Sequence, residues 1–480
     1  MRCVLATSPD PEDILSPSRR SAYLNGSAGL SGDLKVTATG LRRSLEALEE
    51  ADLLRVFGDR LSVDYEIAKR LASTEGRSAA LFTSPVLRTG EISQFRVVGG
   101  VASGRGLMAK LLGVNQREIW RVLRSAVEAG VPPSPGHTPE WDLKVEPVNL
   151  ERLPILRHYV GEAGPYITAG IVVVRDESTG GYSASYHRMM PISRDRVVLR
   201  AVEGRKLHRL ITEAEAEGRP LDVAVAIGVG PGLMLAGAIP AEDRDKLAIA
   251  GAVEGRPVRL TPCESVDADA PVEAEILLEG RILPGERADE GPFYEIFGKD
   301  IVRKQPVMEV KSIRARSDAI YQAILPGGRE HELLMGLPVE PILWEAASRH
   351  AKVVGVAMTP AGGRWIEAAA AIEKEYEGQA VQVALAMMAA HKSLKRVIVV
   401  DSDVDVYDYE QLMRAVVQRT YPPRDFIVIG NILGSSLDHS NLALVEIDGE
   451  ARRVRLPYAK MIIDATIKGP RELYERPKFG

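Results

Sequence analysis

The sequence predicts a mixed α/β protein of several domains, with a β-rich central domain of split or closed barrel type between two α/β domains. Three observations predict it. The chain has 480 residues, too many for one ordinary hydrophobic core. Helical and strand-like apolar periods alternate near both ends, whereas the middle carries short β segments with few crossover helices, a pattern that favours a barrel over a parallel sheet. Hydrophobic residues make up 45% of the chain, enough to build these cores and to exclude a disordered or fibrous protein.

In chain order, residues 1–40 are rich in Ser, Gly, Asp and Pro without a sustained apolar period, and read as a loose extension. From Leu41, LRRSLEALEEADLLRVF has helical spacing, EIAKRLAS reads as a second helix and AALF as a strand, opening an N-terminal α/β domain over 41–137. Residues 99–106, GGVASGRG, match neither a dinucleotide fingerprint nor a phosphate loop, and read as a flexible connection into the helical LMAKLLGV. PPSPGH at 132–137 marks a boundary. The domain over 138–325 contains the strand-like YITAGIVVVRD, GYSASYHRMMPI, DRVVLRAV, DVAVAIGV, PVRLTP and AEILLEGRIL, with one helix, KLHRLITEAEAEG, ended by glycine. GVGPG at 228–232 lacks the Lys-Ser/Thr ending of a phosphate loop and reads as a tight turn. Over 326–480, PILWEAASRHA, VVGVAMT, GQAVQVALAMMAAHK, RVIVVD and YEQLMRAVVQRT restore α/β layering. Met189, Met190, Met387 and Met388 read as core.

Charge and cysteine usage narrow the function. There are 61 basic and 66 acidic residues, a net charge of −5, so no basic excess draws the chain to nucleic acid. Cys3 and Cys263 stand alone, without a disulfide framework or a Cys/His metal pattern, which fits a reducing cytoplasm. No basic-then-apolar leader opens the chain, and no stretch approaches the roughly eighteen apolar residues of a membrane span, so a soluble protein is expected. Asn (5) and Gln (8) are scarce beside Arg, Glu and Val, the bias of heat-adapted proteins.

Two segments carry candidate chemistry. DEGPFYE places Glu290 and Glu295 around a Gly-Pro turn that prevents a continuous helix and lets both carboxylates reach one cavity. Neighbouring carboxylates raise one another's proton affinity, which suits general acid catalysis near neutral pH; the alternative is a solvated acidic loop. SASYHR projects alternate side chains to one face and offers Arg188 as a clamp for a carboxylate or phosphate; the alternative is an edge-strand arginine in water. His331 in GGREHELLMG and His439 in LDHS are weaker candidates for substrate contact.

YITAGIVVVRD, SASYHRM, DEGPFYE, RVIVVDSDVDVYDYEQLMRAVVQR and KMIIDAT, taken in that order, resemble the UbiD-type family of non-oxidative decarboxylases over residues 41–466. The resemblance implies a central flavin-binding split barrel, a homo-oligomer with a C-terminal oligomerisation tail, and a prenylated flavin mononucleotide delivered by a flavin prenyltransferase. It implies decarboxylation of a small α,β-unsaturated or aromatic carboxylic acid, with trans-anhydromevalonate 5-phosphate, giving isopentenyl phosphate, as the candidate substrate. By motif, Glu295 matches the proton donor, Arg188 the arginine that pairs with the acids and substrate, and Glu290 the acid that tunes Glu295 through Arg188. Ser183, Ser185, Tyr186, His187, Arg188, Arg205, Lys206, Lys246 and Lys460 match cofactor-lining positions, Lys460 facing the flavin phosphate.

The family also holds a divalent metal, Mn or Mg, against that phosphate, and its ligand positions fall here on Ser183, Lys206 and Lys246. A protonated lysine has no lone pair to offer a metal. Two readings stay open: the lysines supply positive charge to the phosphate directly, or the chain is a non-catalytic partner or scaffold subunit that has lost the site. His208, Glu242 and Asp243 lie near enough in sequence to form a shifted metal site.

Overall fold

The computed structural model describes residues 39–136, 141–241, 243–447 and 450–474. The expected extension, apart from its last two residues, together with Cys3 and Glu242, lies outside the described residues.

The N-terminal layer begins with α1 (Gly40–Glu50), whose apolar stripe Leu41, Leu45 and Leu48 is buried. It continues through β1 (Leu54–Ser62), α2 (Glu66–Ala72), β2 (Ala79–Val86), β3 (Arg96–Gly99), α3 (Arg105–Leu112) and α4 (Ile119–Ala129). The strand Ile320–Gln322, more than 200 residues downstream, pairs parallel with β3 and completes this sheet. The expected flexible connection at 99–106 is instead held. The amides of Gly100 and Ala102 each donate to a Glu330 carboxylate oxygen at 2.7 Å, which ties this turn to the start of the C-terminal layer.

The middle layer is one eight-stranded sheet. Its main strands are β4 (Ile171–Asp176), β5 (Gly181–Tyr186), β6 (Met189–Pro191), β7 (Arg196–Leu199), β8 (Leu221–Ile227), β9 (Ile276–Glu290) and β12 (Arg303–Ala315). They run in the order β5–β4–β8–β9–β12–β7–β6, with Leu143–Lys144 added on β12. Of the split or closed barrel expected here, closure is not shown: among the described residues the end strands β5 and β6 do not pair, and Met189 bridges to Ile167. Three helices accompany the sheet, α5 (Lys206–Ala216), α6 (Pro231–Ala238) and α7 (Lys246–Glu254). GVGPG is the turn into α6, with Gly228 at φ +79 and Pro231 at the first helical position. A short hairpin of β10 (Phe293–Glu295) and β11 (Gly298–Asp300) links β9 to β12.

The C-terminal layer opens with α8 (Arg329–Gly336) and α9 (Glu340–Ser348). Its five-stranded sheet runs Lys352–Met358, Glu367–Glu373, Arg396–Asp401, Lys460–Asp464 and Phe426–Ile429. The buried alanines and valines of its inner strands pack against the helix Gln379–Ala390, where Met387 and Met388 are core residues as expected; Met189 and Met190 are buried too. Among the described residues no helix is long and apolar enough to cross a membrane.

Candidate active site

Arg188 follows β5 in the two-residue link to β6, and its side chain is 8% exposed, not the edge arginine in water that its sequence allowed. Its Nε and Nη2 donate to the two oxygens of Glu290 at 2.8 Å each, a bidentate pair. Nη1 donates to Glu295 Oε1 at 2.5 Å, and Nη2 also to Asp300 Oδ2 at 2.9 Å.

The β10–β11 register explains the convergence. Phe293 lies opposite Asp300, and Glu295 opposite Gly298. Opposed residues share a face and alternate residues along a strand return to it, so Phe293, Glu295 and Asp300 all present to one side. Arg188 lies there, its guanidinium carbon 4.3 Å from the Phe293 ring centroid. Glu290 ends β9 just before Gly291, whose φ of +97 suits glycine and turns the chain into the hairpin. The Gly291 amide donates to the Tyr166 hydroxyl at 3.1 Å, and the Tyr166 ring meets Phe293 edge-on at 4.7 Å. The two acids expected around the Gly-Pro turn are thus brought together on one arginine.

Electrostatically, burial works against the Arg188 charge, but the Glu290 hydrogen bonds and the charges of Glu290 and Glu295 prevail and raise its proton affinity. Burial also pushes Asp300 up, yet bonds from Arg303 and Arg188 hold it below the usual carboxylate range. Glu290 is fully buried, while the Glu295 side chain is 19% exposed. Glu295 Oε2 is clear of Arg188 and lies 3.7 Å from His331 Nε2. Burial lowers the His331 pKa, against the opposing pull of Glu295. Asp300 is about as exposed but is tied to both Arg188 and Arg303, so the arrangement offers in Glu295 a partly open carboxyl with one oxygen clear of any arginine, beside a cation that can receive an anionic substrate.

The remaining expected residues divide into groups. Ser185 Oγ meets His187 Nε2 at 2.9 Å, and His187 Nδ1 donates to the Arg200 carbonyl at 2.8 Å. Tyr186 packs its ring over Gly237, and its hydroxyl is buried with no hydrogen-bond partner among the described residues. Lys460 is buried, donates to the Lys392 carbonyl at 2.8 Å, and meets no carboxylate among the described residues; burial lowers its pKa. Arg205 and Lys460 both act on His391, which burial first and then these two cations push down to about 4. A spare buried phenol, a desolvated lysine and a second nearby cation fit a flavin mononucleotide with its phosphate.

The metal positions do not fit a divalent ion. Ser183 is buried within β5. Lys206 opens α5 and pairs with Asp176 at 2.5 Å, both side chains nearly inaccessible. Lys246 opens α7 and donates to the Ala236 and Ile239 carbonyls at the end of α6. Among the described residues no group of three His, Cys, Asp or Glu could hold a metal. His208 is half-buried in α5 and Asp243 is exposed, so neither adds to such a group. His439 is exposed, with its ring near Gly298 in the active-site hairpin.

Sequence reasoning missed Asp300, Asp176, His391 and the place of His331. Asp300 had a usable signal: it sits five residues after Glu295 across a glycine, the spacing of a short hairpin. The others have none, because their partners lie far away in the chain.

Family models match most of the chain. The 3-octaprenyl-4-hydroxybenzoate carboxy-lyase N-terminal domain covers residues 45–127, the Rift-related domain 135–329 and the C-terminal domain 332–465. An anhydromevalonate phosphate decarboxylase from Methanothermobacter thermautotrophicus is 38% identical over 399 residues, 81% of this chain and 93% of that protein. The UbiD-class enzyme HmfF from Pelotomaculum thermopropionicum, solved with FMN, superposes with a TM-score of 0.84 at 34% identity, covering 92% of this chain and 97% of that one. An evolved dimeric form of HmfF, solved with prFMN, gives 0.81 at 32% identity over the same shares. The matched family models and the decarboxylases among the relatives make the chain a carboxy-lyase. The chain belongs to the UbiD family.

Proposed function

We propose that this protein removes carbon dioxide, without net oxidation, from an α,β-unsaturated carboxylic acid, and that the acid is trans-anhydromevalonate 5-phosphate, giving isopentenyl phosphate. The observation that carries the reading is the convergence of Glu290, Glu295 and Asp300 on Arg188, with Glu295 alone of the two Gly-Pro acids partly open. Support for the substrate comes from the relatives named as anhydromevalonate phosphate decarboxylases, including one from Aeropyrum pernix at 33% identity.

When bound, prenylated FMN supplies the electron sink for carbon dioxide loss. Tyr186, Arg205 and Lys460 would hold it, the two cations at the phosphate. Arg188 orients the substrate carboxylate while remaining tied to Glu290, so its position does not depend on the substrate. Glu295 then delivers a proton to the carbon that carbon dioxide has left, and regains one from solvent through its exposed side. Glu290, fully buried and bidentate, fixes the guanidinium and does not itself exchange protons with substrate.

The test is co-expression with a flavin prenyltransferase, followed by mass analysis of the bound cofactor and assay for release of carbon dioxide. Turnover by the native chain and its loss in Glu295→Gln, with the cofactor spectrum retained, is the expected result. Undiminished turnover in Glu295→Gln removes it as the donor. Absence of flavin under every condition favours the non-catalytic subunit.

A further inference from the structure

We infer that His331 is a positioning residue for Glu295, a fixed neutral N–H donor aimed at the carboxylate oxygen that Arg188 leaves open. Its use in turnover rests on the reading of Glu295 as proton donor, but its geometry stands by itself.

His331 lies in the first turn of α8, and its Nδ1 accepts from the Gly327 amide at 3.0 Å. An amide N–H can only donate, so Nδ1 carries no proton and the proton of the neutral ring is on Nε2. Nε2 is the atom 3.7 Å from Glu295 Oε2, while Oε1 already takes Arg188 Nη1. At 3.7 Å this is not yet a hydrogen bond. The Nε2–H dipole already faces the carboxylate, and a side-chain closure of about 0.7 Å makes the contact a hydrogen bond.

Backbone geometry sets the pair. Gly327 adopts φ +65, and a Cβ there would meet the Glu295 carbonyl oxygen at 3.0 Å. One tight turn therefore supplies the amide that chooses the tautomer and also touches the backbone of the acid. Behind it, α8 is anchored by Glu75, which accepts from the Arg329 amide at 2.8 Å, and by Glu330, which holds the Gly100 and Ala102 amides.

The same contacts exclude a proton relay. To take a second proton, His331 must give up the Gly327 bond, and burial and Arg188 both oppose its cation. Among the described residues, the charged or titratable groups placed around Glu295 include Arg188 from the β5–β6 link, with Glu290, Asp300 and the Arg303 bonded to Asp300 behind it, His331 from α8, and His439 near Gly298. Of these, His331 is the group facing Oε2. A donor there favours the ionised carboxylate, so its removal raises the pH at which Glu295 loses its proton.

The experiment is a pH titration of the Glu295 carboxyl band by difference infrared spectroscopy on the full chain, the band being assigned by its loss in Glu295→Gln. His331→Leu is expected to titrate about one pH unit higher than the native chain, about tenfold in proton affinity. His331→Gln, whose amide can donate, is expected to return the midpoint to the native value. Equal midpoints in native and His331→Leu overturn the inference. Nitrogen-15 shifts of the native His331 ring provide a second check that needs no variant. Nε2 protonated and Nδ1 bare is expected, and the opposite tautomer, or a doubly protonated ring at neutral pH, overturns it. Neither readout uses turnover, so an inactive native chain would sink the decarboxylase reading and leave this one to its own result.

Discussion

The two ends of the β4–β5 hairpin hold two buried charge clusters of opposite character. At the β5 exit, Arg188 faces three carboxylates, and two of them, Glu295 and Asp300, remain partly exposed. At the hairpin turn, Lys206 faces Asp176, which also accepts from Ser178 and Thr179. Burial pushes Asp176 up, but Lys206 and these hydroxyls carry it down to about 2. The first cluster has an excess of acid and an opening; the second is matched and closed. A matched pair of inaccessible side chains holds its own protons and has little left for a ligand, whereas surplus acid beside a shared cation leaves a group free to exchange one. Lys206 and Lys246, expected from the resemblance at the metal-ligand positions, are in this structure engaged with the protein.

That contrast can be broken by substitution. Arg188→Leu should have the largest effect, since it strands the fully buried Glu290 and removes the cation that Glu295 and Asp300 share, Asp300 keeping Arg303. A loss of about 3–5 kcal/mol in urea unfolding, together with loss of turnover, is expected. If stability is unchanged, the cluster is not held by its arginine. Glu295→Gln should slow turnover by about 10²–10⁴-fold, with stability within about 1 kcal/mol of native, because its side chain is the open one. Steady-state rates and urea midpoints on the same samples separate the two effects.

Lys206→Met should cost about 3 kcal/mol by leaving Asp176 unpaired, whereas Lys206→Met with Asp176→Leu should recover most of that loss. A double variant no better than the single would show that Lys206 has a role beyond its partner.

A third cluster adds to the comparison, for its acids, Glu75 and Glu330, are bonded to backbone amides and to no cation among the described residues. Burial raises Glu75 to about 7, and burial, with Glu75 beside it, raises Glu330 to about 8. The folded chain therefore holds protons that the unfolded chain releases above about 4.5. This stabilisation is complete below that pH and is lost as pH rises through about 7 to 8. Urea midpoints should fall across this window in the native chain, and less steeply in Glu75→Gln or Glu330→Gln; a flat native profile would contradict the assignment. The smallest effect expected is none: FMN affinity of the cofactor-free protein should not change with a chelator or with added manganese. A tenfold gain with manganese would show a metal at the Lys206 end and undo the contrast.

Much of the site was legible because it is local. Glu290, Glu295 and the Gly-Pro break lie within one short segment, and a turn that cannot be helical must fold back within a few residues. The helix over KLHRLITEAEAEG and the strands at both sides of the hairpin were legible in their apolar periods for the same reason. The bonds that make the site are not local: Arg188 is 102 residues from Glu290 and 107 from Glu295.

By itself the sequence determined the α/β layering, the β-rich middle, the acid pair and the arginine motif, since periodicity and turn chemistry act over a few residues. Only the tertiary structure decided that the eight-stranded sheet stays open and that Ile320–Gln322 returns to the N-terminal sheet. It also decided that Asp300 and His331 join Glu295, and that Lys206 chooses Asp176. Those choices are set by strand register and by the cost of burying a charge without a partner, and both depend on residues that meet only when distant segments pack.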